Sequence, residues 1–218
     1  MIVHSIFKSI NGEVNAFHQG SVCTFIRLAG CNLNCSYCDT KYARDKGSGK
    51  AYIWEDIAYD ISKAGSHPIT ITGGEPMLQW DELKLLIEEI PCWKGISIET
   101  NGSFYMPEQS RDNFSWCADW KLSNSGMSDA MKYENFRDLS VKDFIKFVVS
   151  NEEDYIEACH VMNTLIDKYG VLATYAFSPL FPTNVKPFDF AKKLAEWLIE
   201  DGFDAVFSLQ LHKLIGIQ

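Results

Sequence analysis

The feature that most restricts this 218-residue chain is an alternation of short, nearly unbroken apolar runs with amphipathic helical patterns. Residues 22–28, 68–72, 95–99, 114–119, 143–149, 171–177 and 204–209 are rich in β-branched and aromatic side chains. Runs without polar interruption belong to strands covered on both faces, as in parallel sheets. Between several of them lie helical stripes: Ile53, Ile57, Ile61 and Ala64; Leu83, Leu86, Ile87 and Ile90; Ile156, Cys159, Met162 and Ile166; Phe188, Ala191, Leu194 and Leu198. Such alternation predicts an α/β fold with a parallel sheet. A complete eightfold barrel takes about 250 residues. This chain is shorter and has fewer clear helices than strands, so the expected architecture is an incomplete, TIM-like barrel open on one side. No Pro/Gly/Ser-rich linker, low-complexity run or repeat divides it, and a single domain over 1–218 is expected.

Ligands of such a sheet collect beyond the C-terminal strand ends. Three segments sit there: Gly30 to Thr40 after the first run, Gly73-Gly74 after the second, and Thr100 to Gly102 after the third. Three of the seven cysteines, Cys31, Cys35 and Cys38, fall on the first of these loops. Lys8, Asn11, Glu13 and Arg27 break any secretory apolar stretch near the start, and no run approaches a membrane span. A cytosolic protein is expected, where clustered thiols signal metal binding or catalysis and not disulfides. The net charge of −9 and pI near 5.0 would repel a phosphate backbone, which excludes bulk nucleic-acid binding.

Thiolates are the usual ligands of iron–sulfur clusters, and a cubane ordinarily takes four. Three close cysteines without a fourth leave one iron open, the mark of a reactive site. Leu33 and Tyr37 are placed to pack around such a cluster. The rival is zinc held by the cysteines and a histidine in a non-catalytic module; yet zinc sites favour paired Cys-x-x-Cys motifs, and neither His18 nor His67 stands at a familiar spacing. Elsewhere bland readings suffice. Cys23, Cys92, Cys117 and Cys159 read as packed thiols, His4, His67 and His160 as surface or core residues, and Glu88, Glu89 and Glu152 to Asp154 as solvated helix charges.

Cys-x-x-x-Cys-x-x-Cys after a first strand resembles the hallmark of radical S-adenosylmethionine enzymes. Thr72-Gly73-Gly74-Glu75-Pro76 matches their Gly-Gly-Glu-Pro element, and Glu99-Thr100-Asn101-Gly102 a second cofactor-side element, although each would also make an ordinary turn. The resemblance implies a 4Fe-4S cluster whose open iron is chelated by S-adenosylmethionine, which is split to a 5′-deoxyadenosyl radical.

A narrower resemblance, to the 7-carboxy-7-deazaguanine synthase family, runs from about residue 5 to the C-terminus. It is carried by Ser5 to Glu13, Phe25 to Cys31, Cys38 to Lys41, Asp119 to Gly126, Ile145 to Val148, Phe177 to Pro179 and Gln210 to Lys213. It implies a lyase that rearranges 6-carboxy-5,6,7,8-tetrahydropterin to 7-carboxy-7-deazaguanine with loss of ammonia, for queuosine-type 7-deazapurines. It also implies Mg²⁺, a homodimer and a flavodoxin- or ferredoxin-type electron donor. By the same resemblance Tyr37, Cys38, Asp39, Gly74, Asp119, Trp120, Lys121, Ser178 and Pro179 contact S-adenosylmethionine. Ile10, Asn11, Gly12, Thr72 and the C-terminal Gln218 meet the pterin, Asn11 standing where the family usually has glutamine. Arg27 offers a planar fork for the pterin carboxylate; a structural ion pair is its alternative reading. Thr40 is implied as a Mg²⁺ ligand, against a plain helix-capping hydroxyl. A rival within the superfamily is an activating enzyme that abstracts hydrogen from a glycine of a partner protein.

Overall fold

The computed structural model describes residues 1–63, 65, 67–181 and 187–217. Nine strands form one sheet: β1 (Ile2–Ile10), β2 (Val22–Leu28), β3 (Lys50–Ala51), β4 (Ile69–Gly73), β5 (Ile96–Thr100), β6 (Phe114–Trp120), β7 (Phe144–Val149), β8 (Thr174–Pro179) and β9 (Ala205–Phe207). Their spatial order is β3-β1-β2-β4-β5-β6-β7-β8-β9. Every neighbouring pair from β2 to β9 is parallel, while β1 runs antiparallel to both β2 and β3. The edges β3 and β9 do not meet, so the fold is the incomplete TIM-like barrel expected from the alternation.

The seven apolar runs correspond to β2 and β4–β9, displaced at their ends by no more than a few residues. β8 differs most: Val171 and Ala173 pack in the core while Leu172 between them is exposed, and the ladder begins only at Thr174. β1 and β3 were not foreseen. β1 carries His4, Ser5 and Lys8 on an outer antiparallel strand, and β3 has just two residues.

α1 (Trp54–Lys63) buries Ile57 and Ile61, but Ile53 precedes the helix and is exposed, and Ala64 lies outside the described residues. α2 (Trp80–Glu89) buries Leu83, Leu86 and Ile87, with Ile90 buried just past its end. α3 (Glu152–Tyr169) is rotated from the expected stripe: Ile156 and Ile166 face outward, while Tyr155, Ala158, Met162 and Leu165 face inward. Tyr155 decides this, since its ring lies 5.8 Å from Phe177 and 5.1 Å from Trp197, and its hydroxyl donates to Asp201 at 2.6 Å. α4 (Pro187–Asp201) buries Ala191, Leu194 and Leu198 and leaves Phe188 exposed. A short α5 (Leu211–Ile215) follows β9. Cys23 and Cys117 are buried as packed thiols and Cys159 is half-buried, but Cys92 is exposed, because it falls in the turn between α2 and β5. No helix among the described residues is long and apolar enough to cross a membrane.

Candidate active site

β2 delivers its chain directly into the cysteine loop. The loop is fixed by backbone bonds, from Gly30 N–H to Ala43 C=O (2.9 Å), Cys31 N–H to Arg44 C=O (3.0 Å) and Ser36 N–H to Ser125 C=O (2.9 Å). Cys31, Cys35 and Cys38 are free, half-buried and line one cavity. Burial raises the thiol pKa of Cys31 and Cys35. The Leu33 N–H (3.5 Å) and the Asn101 side-chain amide (3.8 Å) both aim at the Cys31 sulfur, donors suited to a thiolate. Among the described residues no three His, Cys, Asp or Glu side chains close tightly enough to hold a single ion. Three spaced thiolates on one wall fit a multi-iron cluster, in which each binds its own iron.

The second wall comes from β4. Gly74 donates to Leu28 C=O at 3.0 Å, and Glu75 N–H to Gly30 C=O at 2.7 Å. A Cβ on Gly74 would lie 2.0 Å from the Gly30 oxygen, and one on Gly73 (φ +139°) 2.1 Å from the Leu28 oxygen. Both positions therefore require glycine. Glu75, fully buried, accepts from Met77 N–H (3.0 Å), Thr100 Oγ1 (2.6 Å) and Asn101 N–H (2.7 Å). It ties the end of β4 to the end of β5. Burial raises its pKa, with those bonds opposing.

On β6 the period-two pleat separates neighbours. Asp119 and Lys121 point into the cavity, whereas Trp120 packs in the core against Tyr133 (4.8 Å) and Phe136 (5.0 Å). Lys121 pairs with Asp119 at 2.6 Å, and Asp119 with Lys146 of β7 at 3.0 Å. Lys146 also pairs with Glu13, which accepts from Gln210; Gln210 accepts from Lys213 (2.6 Å), and Lys213 pairs with Asp39 (2.6 Å). Asp39 accepts from Thr40 Oγ1 at 2.8 Å. A continuous polar chain thus crosses the site from Lys121 to Thr40. Burial alone would raise the carboxyl pKa of Glu13, Asp119 and Asp39. The lysines beside them reverse it: Lys146 for Glu13, Lys121 and Lys146 for Asp119, Lys213 for Asp39.

An adjoining cavity of about 290 Å³ is lined by Phe7, Ile10, Gly12, Arg27, Tyr42 and His212, among others. Glu13, Asp39, Thr40, Thr72, Glu99 and Lys213 face both cavities. Arg27 enters from β2 without an acidic partner among the described residues, and its Nε is buried without a hydrogen bond. Among the described residues the structural ion pair is therefore not formed. Glu99, at the end of β5, is pushed up to about 7 by burial and by the nearby Glu13, with Lys146 and the Thr72 hydrogen bond opposing. Burial lowers the pKa of His212, favouring the neutral imidazole.

The remaining expected residues divide. Tyr37 lines the cysteine cavity with its hydroxyl buried and unpartnered, and Leu33 is buried beside it. Thr40 begins a short turn (Lys41–Ala43), but its hydroxyl makes no cap bond. Asn11 is turned away: its amide donates to Ser21 Oγ (3.0 Å) and accepts from Thr70 Oγ1 (2.6 Å). Ser178 and Pro179 are buried at the end of β8, beside Leu180, which does line the cavity. Gln218 lies outside the described residues. The sequence places Glu99 in a cofactor-side element and Glu13, Lys146, His212 and Lys213 within motif segments, but it gives none of them an individual role. Lys146 had a legible signal, a lysine inside an otherwise apolar strand, as Arg27 is an arginine in one.

The sequence pattern of the Radical SAM superfamily matches residues 25–112. A 7-carboxy-7-deazaguanine synthase of Clostridium acetobutylicum is 36% identical over 220 residues, covering 96% of this chain and 93% of its own length. The Methanospirillum hungatei enzyme of the same name is 35% identical, covering 100% and 86%. This chain belongs to the 7-carboxy-7-deazaguanine synthase family. A third member, from Koribacter versatilis, is 32% identical over 99% of the chain and 96% of its own. In fold the chain is similar to the crystal structure of QueE from Escherichia coli, with a TM-score of 0.72, 21% identity and coverage of 95% and 92%. The family is one of radical S-adenosylmethionine enzymes, and it implies a 4Fe-4S cluster and S-adenosylmethionine as cofactors.

Proposed function

We propose that this enzyme converts 6-carboxy-5,6,7,8-tetrahydropterin to 7-carboxy-7-deazaguanine with release of ammonia, within queuosine-type 7-deazapurine synthesis. The observation that carries the reading is Arg27, half-buried and without an acidic partner among the described residues, in a cavity that shares lining residues with the cysteine cavity. Such a charge is costly to bury alone and suits a bidentate carboxylate ligand.

In this reading Cys31, Cys35 and Cys38 hold the cluster, and Tyr37, Asp39, Gly74, Asp119 and Lys121 face S-adenosylmethionine. Trp120 can serve it only through backbone atoms or packing, while Ser178, whose buried Oγ has no hydrogen-bond partner among the described residues, and Pro179 lie beside the cavity at the end of β8. When bound, cluster and cofactor supply a 5′-deoxyadenosyl radical. Arg27 holds the pterin carboxylate, while Ile10, Gly12 and Thr72 border the ring. Glu99, with a pKa near neutrality, can hold or release a proton at the boundary of the two cavities. The Thr40 hydroxyl, donating to Asp39, keeps lone pairs for a Mg²⁺ ion that substrate oxygens would complete. The family resemblance further supports a cytosolic homodimer reduced by a flavodoxin- or ferredoxin-type donor.

The test is an anaerobic incubation of reconstituted, reduced enzyme with the carboxytetrahydropterin, S-adenosylmethionine and Mg²⁺. A product with the mass and spectrum of 7-carboxy-7-deazaguanine is expected, with one equivalent of ammonia. Cofactor cleavage with no deazaguanine would overturn the substrate assignment.

A further inference from the structure

Arg27 raises a question that its proposed ligand does not answer: what holds the guanidinium before that ligand arrives. The usual solution is an acid, and the described residues supply none. Two aromatic rings stand there instead. The guanidinium carbon lies 5.6 Å from the centroid of Phe7 and 5.8 Å from that of Tyr42.

Their arrangement follows from the fold. Phe7 of β1 is directly opposite Phe25 of β2, and Phe25 and Arg27 share a sheet face at i and i+2. Phe7 stacks on Phe25 at 5.2 Å with an 11° interplanar angle, which fixes its ring beside Arg27. Tyr42 arrives from the turn after the cysteine loop, two residues beyond Thr40, and leans on His4 at 5.1 Å. A cation near an aromatic face is attracted by the ring quadrupole. That attraction uses none of the five guanidinium N–H donors. A carboxylate partner would instead neutralise the charge and occupy the fork.

We infer that Phe7 and Tyr42 form an aromatic clamp that positions Arg27 without neutralising it, and so make the site selective for an acidic ligand over its neutral analogue. This rests on the pterin-acid reading above. Both are positioning residues: they act on the ligand through Arg27. The competing role for the rings is to stack on the heterocycle itself, which would favour acidic and neutral pterins alike.

The test is anaerobic fluorescence titration of the full-length protein with two probes, pterin-6-carboxylate and 6-hydroxymethylpterin, and the readout is the ratio of their dissociation constants. From the range of cation–π strengths, Phe7→Leu should lower the preference for the acid about tenfold and the more exposed Tyr42→Leu about threefold. Phe7→Tyr and Tyr42→Phe keep a ring and should restore the ratio. In an Arg27→Met background, Phe7→Leu should no longer change it, an outcome that misfolding would not produce. Equal weakening of both probes would overturn the clamp in favour of ring stacking. A selective wild type with equally selective Leu variants would overturn the clamp alone. A wild type indifferent to the carboxylate would overturn the pterin-acid reading and the clamp with it.

Discussion

The two cavities meet at Glu99 and Thr72, yet their walls are built on opposite principles. Along the wall from Lys121 through Asp119, Lys146 and Glu13 to Gln210 and Lys213, each charged group named has an answering partner. Across the site, Arg27 has rings for neighbours and a buried, unbonded Nε. A satisfied network fixes positions, and an unsatisfied charge reserves binding energy for a ligand. Toward the pterin, the first wall is scaffold and the second is receptor.

The sharpest way to break this contrast is to delete one charge from each wall. Lys146→Met leaves Glu13 and Asp119 facing each other with their shared cation gone. Lys146 is 7% exposed and Glu13 13%. We expect a loss of about 3–5 kcal/mol in folding stability, the typical penalty for stranding a buried charge. Arg27→Met strands nothing, so its unfolding midpoint should equal or exceed that of the wild type while binding of the acid is lost. Denaturant titrations of the two variants decide the matter; similar destabilisation of both would mean that Arg27 is scaffold as well.

Glu99 tests the boundary. Its folded pKa of about 7 lies above the ordinary value of 4.5, so between those limits the folded state holds more protons than the unfolded state. Stability contributed by this group therefore falls as pH rises from about 4.5 to about 7, by about 1–3 kcal/mol after allowing for its coupling and partial exposure. Glu99→Gln should flatten that part of the stability–pH curve. A variant curve parallel to that of the wild type would show that Glu99 ionises normally and belongs to neither wall.

How much of this was readable beforehand follows the same division. Strands buried on both faces announce themselves as apolar runs, which is why β2 and β4–β9 were legible and β1, mixed in character, was not. The cysteines and the glycines at 73 and 74 were legible because local geometry demands them. Arg27 and Lys146 each interrupt an apolar strand, but nothing local says that one finds an acid and the other does not. That distinction depends on Glu13 and Gln210, which lie far apart in the sequence and meet only in the folded chain. Trp120 shows the converse: a motif names three consecutive residues, and the pleat sends the middle one into the core. The turn of α3 was illegible because two apolar stripes compete, and Tyr155 wins through contacts made on β8 and α4.

The smallest expected effect sharpens the contrast at its outer rim. Asp39 and Lys213 form a pair at 2.6 Å, but their side chains are 48% and 26% exposed, so solvent weakens what the pair contributes. Asp39→Asn should change folding stability by less than about 1 kcal/mol, within the usual range for such pairs. The same change alters what surrounds the Thr40 hydroxyl, which now donates to Asp39 at 2.8 Å. If that hydroxyl serves Mg²⁺ as proposed, removing the neighbouring negative charge raises the Mg²⁺ concentration needed for half-maximal turnover several fold, with the thermal midpoint unmoved. A lowered midpoint with unchanged Mg²⁺ dependence would return Asp39 to the scaffold wall and leave Thr40 without a metal role. A change in Mg²⁺ dependence alone would place the rim with the receptor, because it would alter ligand capture and leave the fold untouched.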